Sequence, residues 1–365
     1  MKNPLIITLT LFVMSLASYG EAKKRFLLRY GDLSRLESEI AMRHVERVKT
    51  LKNQNVMVIS TTEEQGKALA MSTQSGLEED TVHSLPKWGG FRRAIRPHVV
   101  QTVGWGITKI RALEAATRGA GIKVCVSDTG ADLKHADLKS NIISQFNTIN
   151  PRRSAKDDNG HGTHVAGIVA ALDNSIGVVG VASQAKLIIA KGLNAAGMGF
   201  SSDLSETIDG CRLRGAQIIN MSWGSDSPNL LVQQAIERAH AAGIILVAAA
   251  GNESTSVIYP AAFPEVVAVS ALTNIDELAS FSNFGPEVGN SAPGVGILST
   301  MRNGTYGYLS GTSQATPFVA GVAALMLSVF PGASFSDLRG VDIGLAPEQQ
   351  GLRGRIDAVL STTSP

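Results

Sequence analysis

The spacing of apolar residues changes several times along the 365 residues, and each change marks a segment. Leu5 to Leu16 is an apolar run of twelve behind Lys2, and small residues follow, with Ser18 and Gly20, or Gly20 and Ala22, placed as in a cleavage site. That pattern predicts an export signal over residues 1–22; a bilayer-spanning helix would need about 20 apolar residues. Arg25 to Tyr30 then reads as a strand. Leu33, Leu36, Ile40, Val45, Val48 and Leu51 recur at three-to-five spacing and predict one amphipathic helix from Leu33 to Leu51. Asn55 to Thr61 predicts a second strand and Glu63 to Met71 a second helix, so residues 23–86 are expected to form a small split βαβ unit.

Between Lys87 and His98 stand Lys87, Arg92, Arg93 and Arg96 with two glycines, one proline and no acid. This predicts an exposed linker over 87–100, open to proteolysis. From Val99 onward strand-like runs (Ile122 to Ser127, Leu187 to Ala190, Gln217 to Met221, Ile244 to Ala249, Val266 to Ser270) alternate with helical patterns. The helices are expected at Arg111 to Arg118, Thr163 to Leu172, Asp203 to Arg214, Leu230 to Ala242 and Thr316 to Phe330. Such alternation predicts a parallel sheet covered on both faces, with reactive groups beyond the carboxyl ends of its strands. No stretch after the signal is expected to span a membrane.

Charge adds an exclusion. The formal net charge is +2, and no Lys/Arg cluster shares a face with aromatics, which argues against nucleic-acid binding. Cys125 and Cys211 leave two readings open, one disulfide in an oxidising compartment or two buried thiols.

Three short motifs carry the chemistry. IKVCVSDTG (Ile122 to Gly130) is a buried strand ending in Asp128; HGTHVAG (His161 to Gly167) is a glycine turn entering a helix; GTSQATP (Gly311 to Pro317) puts Ser313 at a helix start. Singly each has a plain alternative. A lone DTG lacks the second carboxylate that aspartic proteases need. His161 and His164 lack the glutamate of an HExxH zinc site, and Ser313 alone is a reasonable helix N-cap. Together they fit one reaction, since a serine hydroxyl needs an adjacent base, an imidazole can supply it, and a carboxylate holds the imidazole's tautomer.

These motifs, their order and the AAAGN segment (Ala248 to Asn252) resemble the subtilisin family from about Gln101 to the C-terminus. The resemblance implies a three-layer α/β fold with a mainly parallel central sheet covered by helices, over 101–365, preceded by a small α+β prosegment. It implies Asp128 as orienting carboxylate, His161 as base, Ser313 as nucleophile and Asn252 as oxyanion donor beside the Ser313 N–H. His164 is expected to be structural. It further implies a structural calcium held by the side chains of Gln101, Asp137 and Asn174 and the carbonyls of Leu172, Ile176 and Val178, an all-oxygen set suited to a hard cation.

Substrate is expected between two extended edges, Ser222-Trp223-Gly224 and Gly197-Met198-Gly199, with Leu193 beside the histidine. The large Trp223 and Met198 predict apolar side chains upstream of the cut, and an acid-free pocket floor near Ile258 predicts an apolar residue at the cut itself. Two departures stand out. Gln314 occupies the place where the family usually has methionine, and the linker is longer than usual, leaving the maturation point anywhere from about Ser84 to Val100.

The expected protein is thus a monomeric, secreted or periplasmic serine endopeptidase. It acts on polypeptides and is made as a zymogen whose propeptide inhibits it, with no nucleic-acid partner and no membrane after signal cleavage. Rival expectations are a narrow maturation protease, a family member that binds peptides without cutting, and a zinc hydrolase using His161 and His164.

Overall fold

The computed structural model describes residues 22–86, 92–95 and 100–363. The export signal, apart from Ala22, and linker residues 87–91 and 96–99 lie outside them. The chain divides into a compact unit ending at Asp80 and a larger one starting at Thr81.

The small unit runs β1 (Lys24–Arg29), α1 (Leu33–Met42), β2 (Glu46–Leu51), β3 (Val56–Thr61), α2 (Glu63–Thr73), β4 (Gly76–Glu79). Its strands form an antiparallel sheet in the order β2-β3-β1-β4 around Phe26, Leu28, Leu36, Ile40, Met57, Ile59 and Leu69. The single helix expected from Leu33 to Leu51 is a helix and a strand. Asp32 caps α1 by accepting from the Arg35 N–H, and the helix ends where His44 turns left-handed at φ 52. Beyond it Val45, Val48 and Thr50 are β-branched, and this run pairs with β3.

The larger unit starts with β5 (Val82–Ser84), β6 (Arg92–Ile95), α3 (Trp105–Lys109), β7 (Lys123–Asp128), β8 (Ile142–Asn147), α4 (His161–Ala170) and β9 (Lys186–Lys191). It continues with β10 (Met198–Phe200), α5 (Ser201–Leu213), β11 (Ile218–Met221), α6 (Leu230–Ala241), β12 (Ile245–Ala249), β13 (Val266–Leu272) and β14 (Val288–Pro293). The hairpin β15 (Ile297–Met301) and β16 (Thr305–Leu309) leads into α7 (Thr312–Val329), and β17 (Gly340–Val341), α8 (Pro347–Gln350), β18 (Arg355–Ile356) and α9 (Ala358–Thr363) close the chain. Nine strands make one sheet, β17-β18-β14-β13-β12-β11-β7-β9-β8, parallel throughout except at β17. Along β7 the strand period shows directly: Val124 and Val126 join the core under α4 and α7, while Cys125 joins the core under α5 and α6. All of the expected strands of this sheet form; β6, expected as linker, pairs along β16.

Two expectations need correcting. Arg111 to Arg118 forms only a 3₁₀ turn at Ala112–Glu114 and no α-helix, because the Arg118 guanidinium collects the carbonyls of Leu113, Ala115 and Thr117. And a stretch long and apolar enough to cross a membrane does exist: α7, every residue of which from Thr312 to Leu327 is buried in the core. Gly321 and Pro317 cost that helix roughly 4 kcal/mol in propensity. Burying Phe318, Val319, Val322, Leu325 and Met326, at about 1.5–3 kcal/mol each, outweighs that cost. Cys125 and Cys211 are joined in a disulfide, S–S 2.01 Å, which ties β7 to α5.

Candidate active site

Asp128 ends β7, His161 opens α4, and Ser313 lies in the first turn of α7; all three are buried. Both carboxylate oxygens of Asp128 lie against His161 Nδ1, at 2.9 and 3.0 Å, and Oδ1 also accepts the Thr129 N–H at 2.7 Å. An imidazole anchored through Nδ1–H has Nε2 as its basic nitrogen. Strand and helix approach this closely because residue 162 is glycine: a Cβ there would stand 2.1 Å from the Gly130 carbonyl oxygen and 3.0 Å from Asp128 Oδ1.

The approach is also stapled by a residue the sequence reading missed. Asp157, 2 % exposed, accepts from the Thr129 hydroxyl at 2.9 Å and from the N–H groups of Asn159, Gly160 and Thr163 at 2.9–3.0 Å. One carboxylate thereby joins the end of β7 to the positive end of α4. Its sequence signal was an acid shortly before a glycine at a helix start, a pattern too common to single out.

Around Ser313 the sequence shapes the backbone. Pro317 has no N–H, so it cannot bond the carbonyl of Ser313 four residues back. The hydroxyl of Ser222 donates to that carbonyl at 3.0 Å, and the Ser313 hydroxyl donates to the Ser222 carbonyl at 3.1 Å. The Ser313 N–H lies in the first helical turn, where such groups lack intrahelical partners. Asn252 follows β12, and its Oδ1 accepts from the Thr312 N–H at 2.9 Å and the Thr312 hydroxyl at 2.8 Å. The Asn252 amide nitrogen flanks the turn at Gly311, where a Cβ would stand 2.9 Å from Gln314 Oε1 and 3.1 Å from Asn252 Nδ2 and a φ of 156 disfavours a side chain.

His164 takes no part. Its Nε2 lies on the carbonyls of Ile297 and Gly307 at 3.0 and 3.1 Å, and burial, then the nearby His161, push its pKa down to about 3, so the ring is neutral. The two histidines do not join a metal-binding group among the described residues.

Of the expected calcium residues, Gln101, Asp137 and Asn174 are joined by hydrogen bonds. Gln101 Oε1 accepts the Asn174 N–H at 2.6 Å, and Asp137 Oδ1 accepts from Asn174 Nδ2 at 2.8 Å. Asp137 Oδ2 accepts from the Val178 N–H at 3.0 Å and the Tyr306 hydroxyl at 2.8 Å. Burial and that carboxylate together raise the Tyr306 pKa. Gly177 packs so tightly that a Cβ would fall 2.2 Å from Asp137 Oδ2. Asp137 is fully buried with no cationic side chain paired to it among the described residues. Leu172 donates its N–H to the Asp137 carbonyl, and Ile176 its N–H to Asn174 Oδ1. A buried carboxylate with no cationic side chain paired to it among the described residues is the feature that suits a hard cation.

The expected peptide edges hold a segment of the chain itself. β5 lies antiparallel to β10, with Gly199 opposite His83 and Met198 opposite Ser84. On its other side Ser84 and Gly224 exchange both backbone bonds, at 2.9 and 3.0 Å, and the Leu85 N–H donates to the Gly197 carbonyl at 2.9 Å. Leu193 is buried beneath, its N–H on the Asp128 carbonyl. Trp223 is fully buried and donates its Nε1–H to Ser127 at 3.2 Å. Beside Pro86 opens a cavity of about 390 Å³ lined by Gly224, Ile258, Asp226 and Glu253. Its walls are therefore not free of acid.

Comparison with known proteins agrees with this geometry. Residues 119–356 match the model of the Subtilase family. Subtilisin DY of Bacillus licheniformis is 43% identical over 247 residues, covering 66% of this chain and 89% of the relative. A thermostable alkaline protease of Halalkalibacterium halodurans is 39% identical over 333 residues (90% and 88%), and the M-protease of Shouchella clausii 36% over 362 (93% of each).

Proposed function

The chain belongs to the subtilase family and is a serine endopeptidase, and from that premise we propose that it is exported as a zymogen and cuts polypeptides with Asp128, His161 and Ser313. The observation that carries the reading is the buried Asp128–His161 pair together with Ser313 in the first turn of α7. The Ser313 hydroxyl leaves the Ser222 carbonyl, gives its proton to His161 Nε2, and its oxygen attacks the substrate carbonyl. Negative charge on that carbonyl oxygen is met by the Ser313 N–H, Asn252 Nδ2 and the positive end of α7. His161 returns the proton to the leaving amine, leaving an acyl-enzyme on Ser313. A water, deprotonated by the same imidazole, then releases the acid.

Gln101, Asp137 and Asn174, with the carbonyls of Leu172, Ile176 and Val178, would hold calcium, which supplies positive charge against the buried Asp137 and no step of the reaction. Segment 82–86 acts as the built-in inhibitor. Continuing its register with Gly224 by two residues sets Pro86 opposite Ser222, whose carbonyl holds the nucleophile. We therefore assign maturation, within the expected 84–100 window, to the bond after Pro86. The mature enzyme acts as a monomer outside the cytoplasm.

The test is to express the exported precursor beside its Ser313→Ala version with calcium present and weigh both. The parent is expected to lose residues up to Pro86 and digest casein, the variant to remain a precursor. Processing of both alike would transfer maturation to an outside protease, and no digestion by the parent would refute the reading.

A further inference from the structure

This inference rests on the reading above, that the strip between residues 197–200 and 222–224 receives polypeptide; it concerns which side chain that strip selects. Side chains alternate along segment 82–86: Val82 and Ser84 are exposed, whereas His83 is 1 % exposed. The His83 ring stands edge-on to the Trp223 indole, centroids 5.5 Å apart at 82°, and its Nε2 lies 2.9 Å from the Ser201 hydroxyl. Trp223 is itself immobilised by Ser127, so the aromatic wall is preformed.

The polarity of this contact follows from the neighbours. Ser201 Oγ donates to the Thr81 carbonyl at 3.1 Å, and Thr81 Oγ1, which accepts from Asn229 Nδ2 at 3.3 Å, lies 2.6 Å from Ser201 Oγ. With its one proton on the Thr81 carbonyl, Ser201 is left as an acceptor, and His83 Nε2–H is its donor. His83 Nδ1 is buried with no partner, so a second ring proton would have no acceptor. The pocket thus fits a flat ring carrying one N–H at its far corner and no charge. Phenylalanine matches the ring but leaves the Ser201 oxygen short of a donor; lysine and arginine bring charge to a site whose contacts, Ser201 and Trp223, are both uncharged.

We infer that Ser201 is a specificity-determining residue, and that the protease selects polypeptides carrying neutral histidine three residues ahead of the position Pro86 occupies.

The test uses enzyme matured from the full chain. Casein digestion and labelling of Ser313 by a phosphonylating reagent check the underlying peptidase reading. Peptides identical except for His, Phe, Leu, Gln or Lys at that position are then compared by kcat/KM at pH 8, each cut located by mass spectrometry. Histidine is expected to exceed phenylalanine by about tenfold, the worth of one buried hydrogen bond. In Ser201→Ala the His/Phe ratio should fall to near one whatever happens to the absolute rates, and Ser201→Thr, which keeps the hydroxyl, should retain it. An enzyme that digests casein yet shows no histidine preference, or keeps it in Ser201→Ala, overturns the inference and leaves the peptidase reading standing. Failure of casein digestion and of labelling overturns both.

Discussion

Acid should loosen the docking of segment 82–86, the proposed inhibitor, through one side chain. His83 is buried against Trp223 and Ser201, and that burial lowers its pKa to about 4; a free histidine titrates near 6.5. The docked value is the lower one, so the neutral ring docks. Docking is at full strength above about pH 6.5 and weakens as pH falls, because a free segment that has bound a proton must release it to dock. The loss levels off below about pH 4, where the docked ring takes the proton too. The full shift corresponds to about 3 kcal/mol, a factor on the order of 10²–10³. Between pH 7 and pH 5 alone, linkage predicts a loss of about 20-fold.

The assay adds residues 22–86 in trans to the mature protease and measures the inhibition constant across pH 5–8. Turnover itself varies with pH, so each value is referred to a His83→Phe segment, which meets the same enzyme. Residue 83 lies beyond the compact unit ending at Asp80, so the substitution leaves that unit's core intact. The native segment should weaken about 20-fold relative to the Phe version from pH 7 to pH 5. Parallel pH profiles for the two would refute the reasoning, since they would place the loss on some other group.

The disulfide Cys125–Cys211 closes a loop of 86 residues, so Cys125→Ala/Cys211→Ala should destabilise the fold by about 4–5 kcal/mol on chain entropy. Denaturant midpoints in a Ser313→Ala background, free of autolysis, check this; an unchanged midpoint counts against it. Removing calcium from the same background should lower the thermal midpoint, and calcium at a hundredfold over its Kd should restore about 2.7 kcal/mol. Asp137→Asn is expected to abolish that response, measured by calorimetry. Gln314 is 2 % exposed next to Ser313 and cannot form a sulfoxide. Activity on a peptide should survive peroxide that inactivates Gln314→Met, and equal losses would overturn the prediction.

What the sequence made legible depends on how local its cause is. Asp128, His161 and Ser313 could be proposed from the chain because their chemistry admits few residue types in a few turn contexts, and the strands of the parallel sheet could be named because burial on both faces writes an apolar run. Helix α1 and strand β2 were merged because Val45, Val48 and Leu51 continue a helical spacing by coincidence. Only the left-handed turn at His44 and the pairing with β3 separate them. Strand β14 reads Val-Gly-Asn-Ser-Ala-Pro, with little apolar pattern, yet is wholly buried by its neighbours. His83 and Ser201 are 118 residues apart, and Asp157 reaches Thr129 across 28. Neither pairing leaves a periodic trace, since each residue is constrained only by what folding brings beside it. A catalytic group must be a particular residue in a particular setting, whereas the occupant of a pocket need only match its partner. That is why the reaction could be read from the chain, and why the side chain the enzyme selects emerged only with the fold.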